Sequence, residues 1–302
     1  MADSQINRLI VVGLGLIGGS FSLSLKAAGG CQEVIGVAVD DNIGSEAKSA
    51  GLIDRWVLEL SAISPAPAAG DVIFIAVPTL AVKSVFEAIK AANISDEVTV
   101  TDGASVKGSV ERDAISVFGE VPSQFVLGHP IAGSEKSGVS AAKVGLFDQH
   151  RVILTPLANT DKTHFDRVSR LWQTIGAEVL TLDIENHDAI LGATSHLPHV
   201  IAFSLVDTLA HDSHNEDIFR YAAGGFRDFT RIASSDVTMW RDIMLANREA
   251  VIDAIDLFSN NLTQLRSVIA EGDSDQLTEI FGRAKTARDA FIYLLDQKDS
   301  QN

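Results

Sequence analysis

Five stretches of this chain have the residue types and spacing to do chemistry. Gly13, Gly15 and Gly18 form G-x-G-x-x-G, with Gly19 beside them, directly after the apolar run at 8–12. Glycines so placed permit a tight turn, let the backbone approach a pyrophosphate, and let a helix pack closely on a strand. The stretch "VTVTDGASVKG" carries Thr101, Asp102, Ser105 and Lys107, and "LGHPIAGSEKSG" carries His129, Ser134, Glu135 and Lys136. Either alone could be a solvated loop; two such loops at one sheet edge would make a site. "ATSHLPHVIAF" sets His196 and His199 three residues apart, with Ser195 before them and Pro198 between. Metal ligands, ordinary core histidines and the lining of a substrate site are the readings open there. Finally, "GFRDFTRIASSDVTMWRDI" places Arg227, Asp228, Arg231 and Trp240 among apolar positions. Arg227 and Asp228 suit a salt-bridged helix surface, whereas Arg231 suits a guanidinium fork facing a carboxylate.

The elements that must position these groups follow from periodicity. Apolar runs at 8–12, 33–40, 71–78 and 97–102 alternate with helical spacing, and the alternation continues through 124–130, 150–156 and 177–183. Nearly continuous apolar strands interleaved with helices predict a parallel sheet covered on both faces. From residue 184 onward the spacing is helical and Pro198 is the only proline. The expected architecture is α/β: a dinucleotide-binding domain of the Rossmann type over 1–183, then an all-helical domain over 184–302 that carries substrate contacts and dimerises.

In that frame the glycine turn presents a helix N-terminus to phosphate. Leu16 and Ile17 within the turn, Val77 after the third long strand, and Asp102 and Ser105 after the next are the expected cofactor neighbours. Asp40, 22 residues beyond Gly18, is the acid expected to hold an adenosine ribose, with Ala38 two positions earlier. No Lys or Arg follows before Lys48, so NAD is favoured, with NADP as the alternative.

Composition narrows the partners. With 302 residues, 46% of them hydrophobic, the chain supports a core, and its net charge of −16 argues against nucleic acid or an anionic membrane. No uninterrupted apolar stretch of 18 residues and no signal-peptide pattern is seen, and one cysteine, Cys31, fits a reducing compartment. A cytoplasmic homodimer acting on a small molecule is expected.

The SHLPH stretch reads as a helix beginning near Asn186. On a helical wheel Asp188, Gly192, Ser195 and His199 share one stripe, His196 lies beside them, and Pro198 should kink the helix or free a carbonyl. Zinc would prefer histidines at i,i+4 and further ligands, so no metal is expected. The remaining histidines, His150, His164, His187, His211 and His214, read as surface or helix-end residues.

In their order, "GLGLIGGS", "TDGASVKG", "GHPIAGSEKSG", "HDAILGATSHLPH" and "GFRDFTRIASSDVTMWRDI" make the chain resemble the prephenate/arogenate (cyclohexadienyl) dehydrogenase family. The resemblance implies oxidative decarboxylation of a ring-hydroxylated cyclohexadiene in tyrosine biosynthesis. It implies that His129 is the catalytic histidine at the ring hydroxyl and that Ser105 contacts the same hydroxyl near the nicotinamide. It implies that Arg231 binds a substrate carboxylate. His196, His199, Ser195 and Ser134 would line the cleft, with Glu135, Asp188 and Trp240 at its rim. Hydride leaves readily only if the hydroxyl proton leaves too, and a neutral histidine suits that at neutral pH. A β-hydroxyacid-type dehydrogenase would leave the SHLPH and TRIA stretches without a task. A dinucleotide sensor without turnover would need neither His129 nor Arg231.

Overall fold

The computed structural model describes residues 5–134, 136–213 and 215–299. Six strands form a sheet in the order β3-β2-β1-β4-β5-β6, every pairing parallel. They are β1 Ile6–Val12, β2 Cys31–Val37, β3 Arg55–Val57, β4 Val72–Ile75, β5 Thr99–Asp102 and β6 Phe125–Val126. Helices α1 Leu16–Ala27, α2 Asp41–Ser49, α3 Val82–Ala91 and α4 Lys107–Phe118 connect them. The strand order reverses between β1 and β4, the crevice where ligands of doubly wound sheets bind. Central strands are apolar because both faces are covered: Phe21, Phe74, Phe147 and Trp172 pack on one side, and Ile73, Phe86, Val110 and Phe125 on the other.

The expected single sheet ends earlier than periodicity implied. β7 Gly128–Pro130, β8 Arg151–Leu154 and β9 Glu178–Thr181 form a second, three-stranded sheet in which β7 runs antiparallel to β8; α5 Lys162–Thr174 precedes β9. The break has a local cause: the Gly128 N–H donates to Asp102 Oδ1 at 3.1 Å, so it is taken by a side chain at the strand end.

After β9 every described element is helical: α6 Ile184–Leu191, α7 Leu197–Ala210, α8 Asn215–Tyr221, α9 Gly224–Thr230, α10 Val237–Ala246, α11 Arg248–Glu271 and α12 Ser274–Asp299. Asp183, not Asn186, caps α6, its carboxylate accepting from the Asn186 N–H. Between α6 and α7 lies one wide turn, Gly192–His196, in which the Leu197 N–H reaches back five residues to the Gly192 carbonyl. The expected kink at Pro198 therefore takes the form of a π-turn just before the proline, which sits in the first turn of α7.

By length and composition the span Ile184–Ala210 could cross a bilayer, yet its His187, Asp188 and His196 bond to His129, the start of α4 and Asn247. By contacts the chain separates into two compact units, 1–251 and 252–302. The second is a helical hairpin turned at Gly272, whose φ of 69° favours glycine.

Candidate active site

The glycine turn is built as its sequence requires. Gly13 has φ 99°, and a Cβ there would sit 2.4 Å from the Ala76 carbonyl oxygen and 3.1 Å from Val77 Cγ1, so Val77 flanks the turn. A Cβ on Gly18 would meet the Gly13 oxygen at 2.0 Å, which is the close helix-strand approach. Gly15 differs: a Cβ would find nothing within 4 Å, and as N-cap of α1 it provides no side chain to the helix N–H groups. Uncapped N–H groups facing open space fit a pyrophosphate. Leu16 and Ile17 form the first turn of α1, half-buried.

Gly15→Ala should accordingly leave the melting temperature unchanged while weakening NAD binding roughly tenfold or more, about 1.4 kcal/mol or above. Titration of the dinucleotide against the folded variant checks this, and unchanged affinity would remove the turn from the cofactor site.

Two expected cofactor acids also make bonds within the protein. Asp40 is exposed, and its carboxylate caps α2 by accepting from the Ile43 N–H at 2.9 Å. Asp102 is buried with both oxygens engaged: Oδ1 accepts from the Gly128 N–H, and Oδ2 from the Ala104 N–H at 2.9 Å and from the Lys107 ammonium. Lys107, fully buried, also donates to the Gly128 carbonyl at 2.5 Å. Burial pushes its pKa down, against the pull of Asp102. This pair joins the start of α4 to the start of β7 and so fixes where His129 stands.

His129 is buried, and its Nδ1 lies 2.9 Å from Nε2 of His187. His187 Nδ1 is in turn 2.7 Å from Asp188 Oδ1. Burial, with the neighbouring His187, Lys107 and His196, holds the His129 pKa well below its ordinary value, so the ring is neutral at neutral pH. Ser105, half-buried in the turn between β5 and α4, has no hydrogen-bond partner among the described residues.

Asp188 does not stand free at a rim. Its Oδ1 accepts from the Lys107 N–H at 2.9 Å and Oδ2 from the Gly108 N–H at 2.8 Å, capping α4 from α6. Burial would raise its pKa, but His187 and these two N–H groups hold it below the usual carboxylate range. His187, read from sequence as a helix-end residue, is completely buried in this chain of groups. The signal was its place beside Asp188 in the first turns of α6, on the span that carries the SHLPH residues.

The SHLPH pair divides. His196 is a core histidine: it is 1% exposed, its Nδ1 is 3.1 Å from Asn247 Nδ2, and burial lowers its pKa to about 4. That Asn247 amide also donates to the Asp188 carbonyl at 2.8 Å. His199 is half-buried; its Nδ1 donates to the Ser195 carbonyl at 2.9 Å, and its ring stacks on Trp240 with centroids 3.4 Å apart. Trp240 is buried rather than at a rim, packed with Val106 and Ile243, and its Nε1 has no partner among the described residues. Burial, and to a lesser degree the Arg231 charge, lowers the His199 pKa against the Ser195 bond, which places Arg231 within electrostatic reach of that ring. Ser134 is exposed, its hydroxyl accepting from the Lys136 N–H at 3.2 Å, and Glu135 lies outside the described residues, as does His214. His164 is partly buried against Thr99, while His150 and His211 are exposed as expected.

An uncapped glycine turn at the carboxyl edge of a doubly wound sheet, and a buried histidine on a strand tied to the end of β5 of that sheet, are the parts of a dinucleotide-dependent dehydrogenase. Comparison with known proteins agrees. Residues 21–181 match the model "Prephenate dehydrogenase, nucleotide-binding domain", and residues 183–283 match "Prephenate dehydrogenase, dimerization domain". The chain belongs to the prephenate dehydrogenase family. It is 38% identical to prephenate dehydrogenase of Bacillus subtilis (strain 168), with 94% of this chain and 76% of that one covered. To the cyclohexadienyl dehydrogenase of Zymomonas mobilis it is 35% identical, covering 93% of this chain and 94% of the other. The solved structure of prephenate dehydrogenase from A. aeolicus in complex with hydroxyphenyl propionate and NAD+ superposes with a TM-score of 0.89 at 37% identity, covering 96% of this chain and 99% of that one.

Proposed function

We propose that the protein oxidatively decarboxylates prephenate to 4-hydroxyphenylpyruvate, or arogenate to tyrosine, with NAD, as a homodimer in the reducing interior of the cell. The observation that carries the reading is His129, buried with its pKa held low, on a strand that the Asp102–Lys107 pair ties to the carboxyl end of β5 in the sheet that carries the uncapped turn at Gly15. NAD, when bound, supplies the hydride acceptor. The N–H groups at the start of α1 hold its pyrophosphate, and Gly13 and Gly18 shape the turn that presents them. His129 accepts the ring-hydroxyl proton, so that the oxygen becomes a carbonyl as hydride leaves the carbon beneath it. With that ketone conjugated to the carbon bearing the carboxylate, carbon dioxide departs and the ring becomes aromatic. Ser105, whose hydroxyl has no partner among the described residues, is available to the same substrate hydroxyl. Arg231, beside the His199 ring, provides the planar fork for a substrate carboxylate.

The homodimer is supported by the matched dimerization domain. It is supported also by large apolar side chains left exposed, Val237 and Leu245 in one unit, Leu257 and Leu262 in the other.

Following NADH absorbance with prephenate and with arogenate, each with NAD and NADP, tests substrate and cofactor together. NADH formation with at least one of the two is expected, and none with either would overturn the reading. Arg231→Ala should raise KM by roughly 10- to 100-fold, the worth of a charge-assisted pair of 1.5–3 kcal/mol, with kcat changed much less.

A further inference from the structure

A histidine base uses one ring nitrogen, and the other decides which form the ring takes. Here the other is His129 Nδ1, 2.9 Å from His187 Nε2, and His187 Nδ1 is 2.7 Å from the Asp188 carboxylate. A carboxylate only accepts, so His187 Nδ1 carries a proton. A single proton on the His187 ring leaves its Nε2 as a lone pair, to which His129 Nδ1 donates. His129 Nε2 is then left as a lone pair.

We propose that His187, held by Asp188, is a positioning residue that fixes His129 as the Nδ1–H tautomer and stabilises the imidazolium formed during turnover. In that step the substrate O–H bond breaks, the proton joins His129 Nε2, and the Nδ1–H bond to His187 strengthens as the ring becomes cationic. The electron pair of the broken bond stays on oxygen and becomes part of the new carbonyl. The inference rests on the reading of His129 as the base. Asp188 is well fixed for this task because the N–H groups of Lys107 and Gly108 bind the same carboxylate, and Asn247 holds its backbone carbonyl.

The test compares His187→Leu, which removes the acceptor, with His187→Gln, whose amide oxygen can accept from Nδ1–H without a link to Asp188. For His187→Leu, kcat should fall roughly 10²- to 10⁴-fold with KM little changed. The acid limb of kcat should move to lower pH, because the imidazolium has lost its acceptor. His187 from α6, Lys107 from α4 and His196 from the wide turn act on this ring, with Asp188 behind His187 and Asp102 behind Lys107, and only His187 is altered. His187→Gln should recover much of the rate. Equal losses in both variants with an unmoved pH profile would mean a structural role only and would overturn the proposal, as would wild-type kcat in His187→Leu. Nitrogen-15 shifts of His129, assigned with His129→Asn, give a readout that needs no turnover. The proton should sit on Nδ1 in the wild type, and finding it on Nε2 would overturn the proposal even if prephenate is oxidised. Failure to oxidise either substrate, with Nδ1 protonated as expected, would count against the reading of function instead.

Discussion

Replacing His129 by asparagine is expected to lower kcat by about 10²–10⁴-fold, the usual worth of a positioned base, while KM changes little. Asparagine keeps a polar group beside His187 but cannot take a proton. In the wild type the pH dependence has a definite sign. Burial, together with His187, Lys107 and His196, depresses the His129 pKa. The base form therefore persists below pH 6.5, the reference value for histidine, and activity is lost only as pH falls through the lower folded value. Steady-state kinetics from acid to neutral pH measure both effects. An asparagine variant with wild-type turnover would mean that the proton goes elsewhere.

The second large effect is on stability. Asp102→Ala leaves the Lys107 ammonium in a fully buried position, still bonded to the Gly128 carbonyl but without its carboxylate, and strips the Gly128 and Ala104 N–H groups of their partner. Breaking a buried pair from one side costs about 3–5 kcal/mol, and denaturant unfolding should show a loss of that order. The pair's other half provides the control. Asp102→Leu combined with Lys107→Met should recover a good part of the loss, because the uncompensated charge is gone. The pH sign is also fixed. In the single variant Lys107 has a folded pKa further below its unfolded value, so the unfolded chain holds the extra proton. The deficit therefore shrinks as pH rises through the variant's folded pKa and levels off at the wild-type one, which itself lies below the ordinary lysine value of 10.5. A deficit that ignored pH would show that the ammonium is not its source.

What could be read from sequence was what local geometry dictates. Gly13 and Gly18 were legible because no other residue satisfies that φ and those close approaches. His129 was legible from a short motif at a strand end. The carboxylates were not, since a sequence does not distinguish an acid that meets a ligand from one that ties the protein together. Asp40 caps α2, Asp102 holds Lys107, and Asp188 caps α4 from another element. His187 was missed because its burial depends on β7, whose departure from the main sheet periodicity did not register. The helical wheel for SHLPH took 100° per residue throughout and expected the interruption at Pro198, whereas the phase changes earlier, in the wide turn Gly192–His196.

The wide turn at Gly192–His196 shows how much hangs on that assumption. His187 and His196 are nine residues apart, about two and a half turns of an α-helix of 3.6 residues per turn, which would point them to opposite sides. Yet both are buried, one against His129 and the other against Asn247, which is itself bonded to Asp188. The turn slips the angular phase between the two halves of the span, so that both can face inward. Chain length between Leu191 and Leu197 is thus itself a determinant of the site. A copy of this protein one residue shorter there could keep every polar side chain named here and a continuous helix, and still have its histidines out of step.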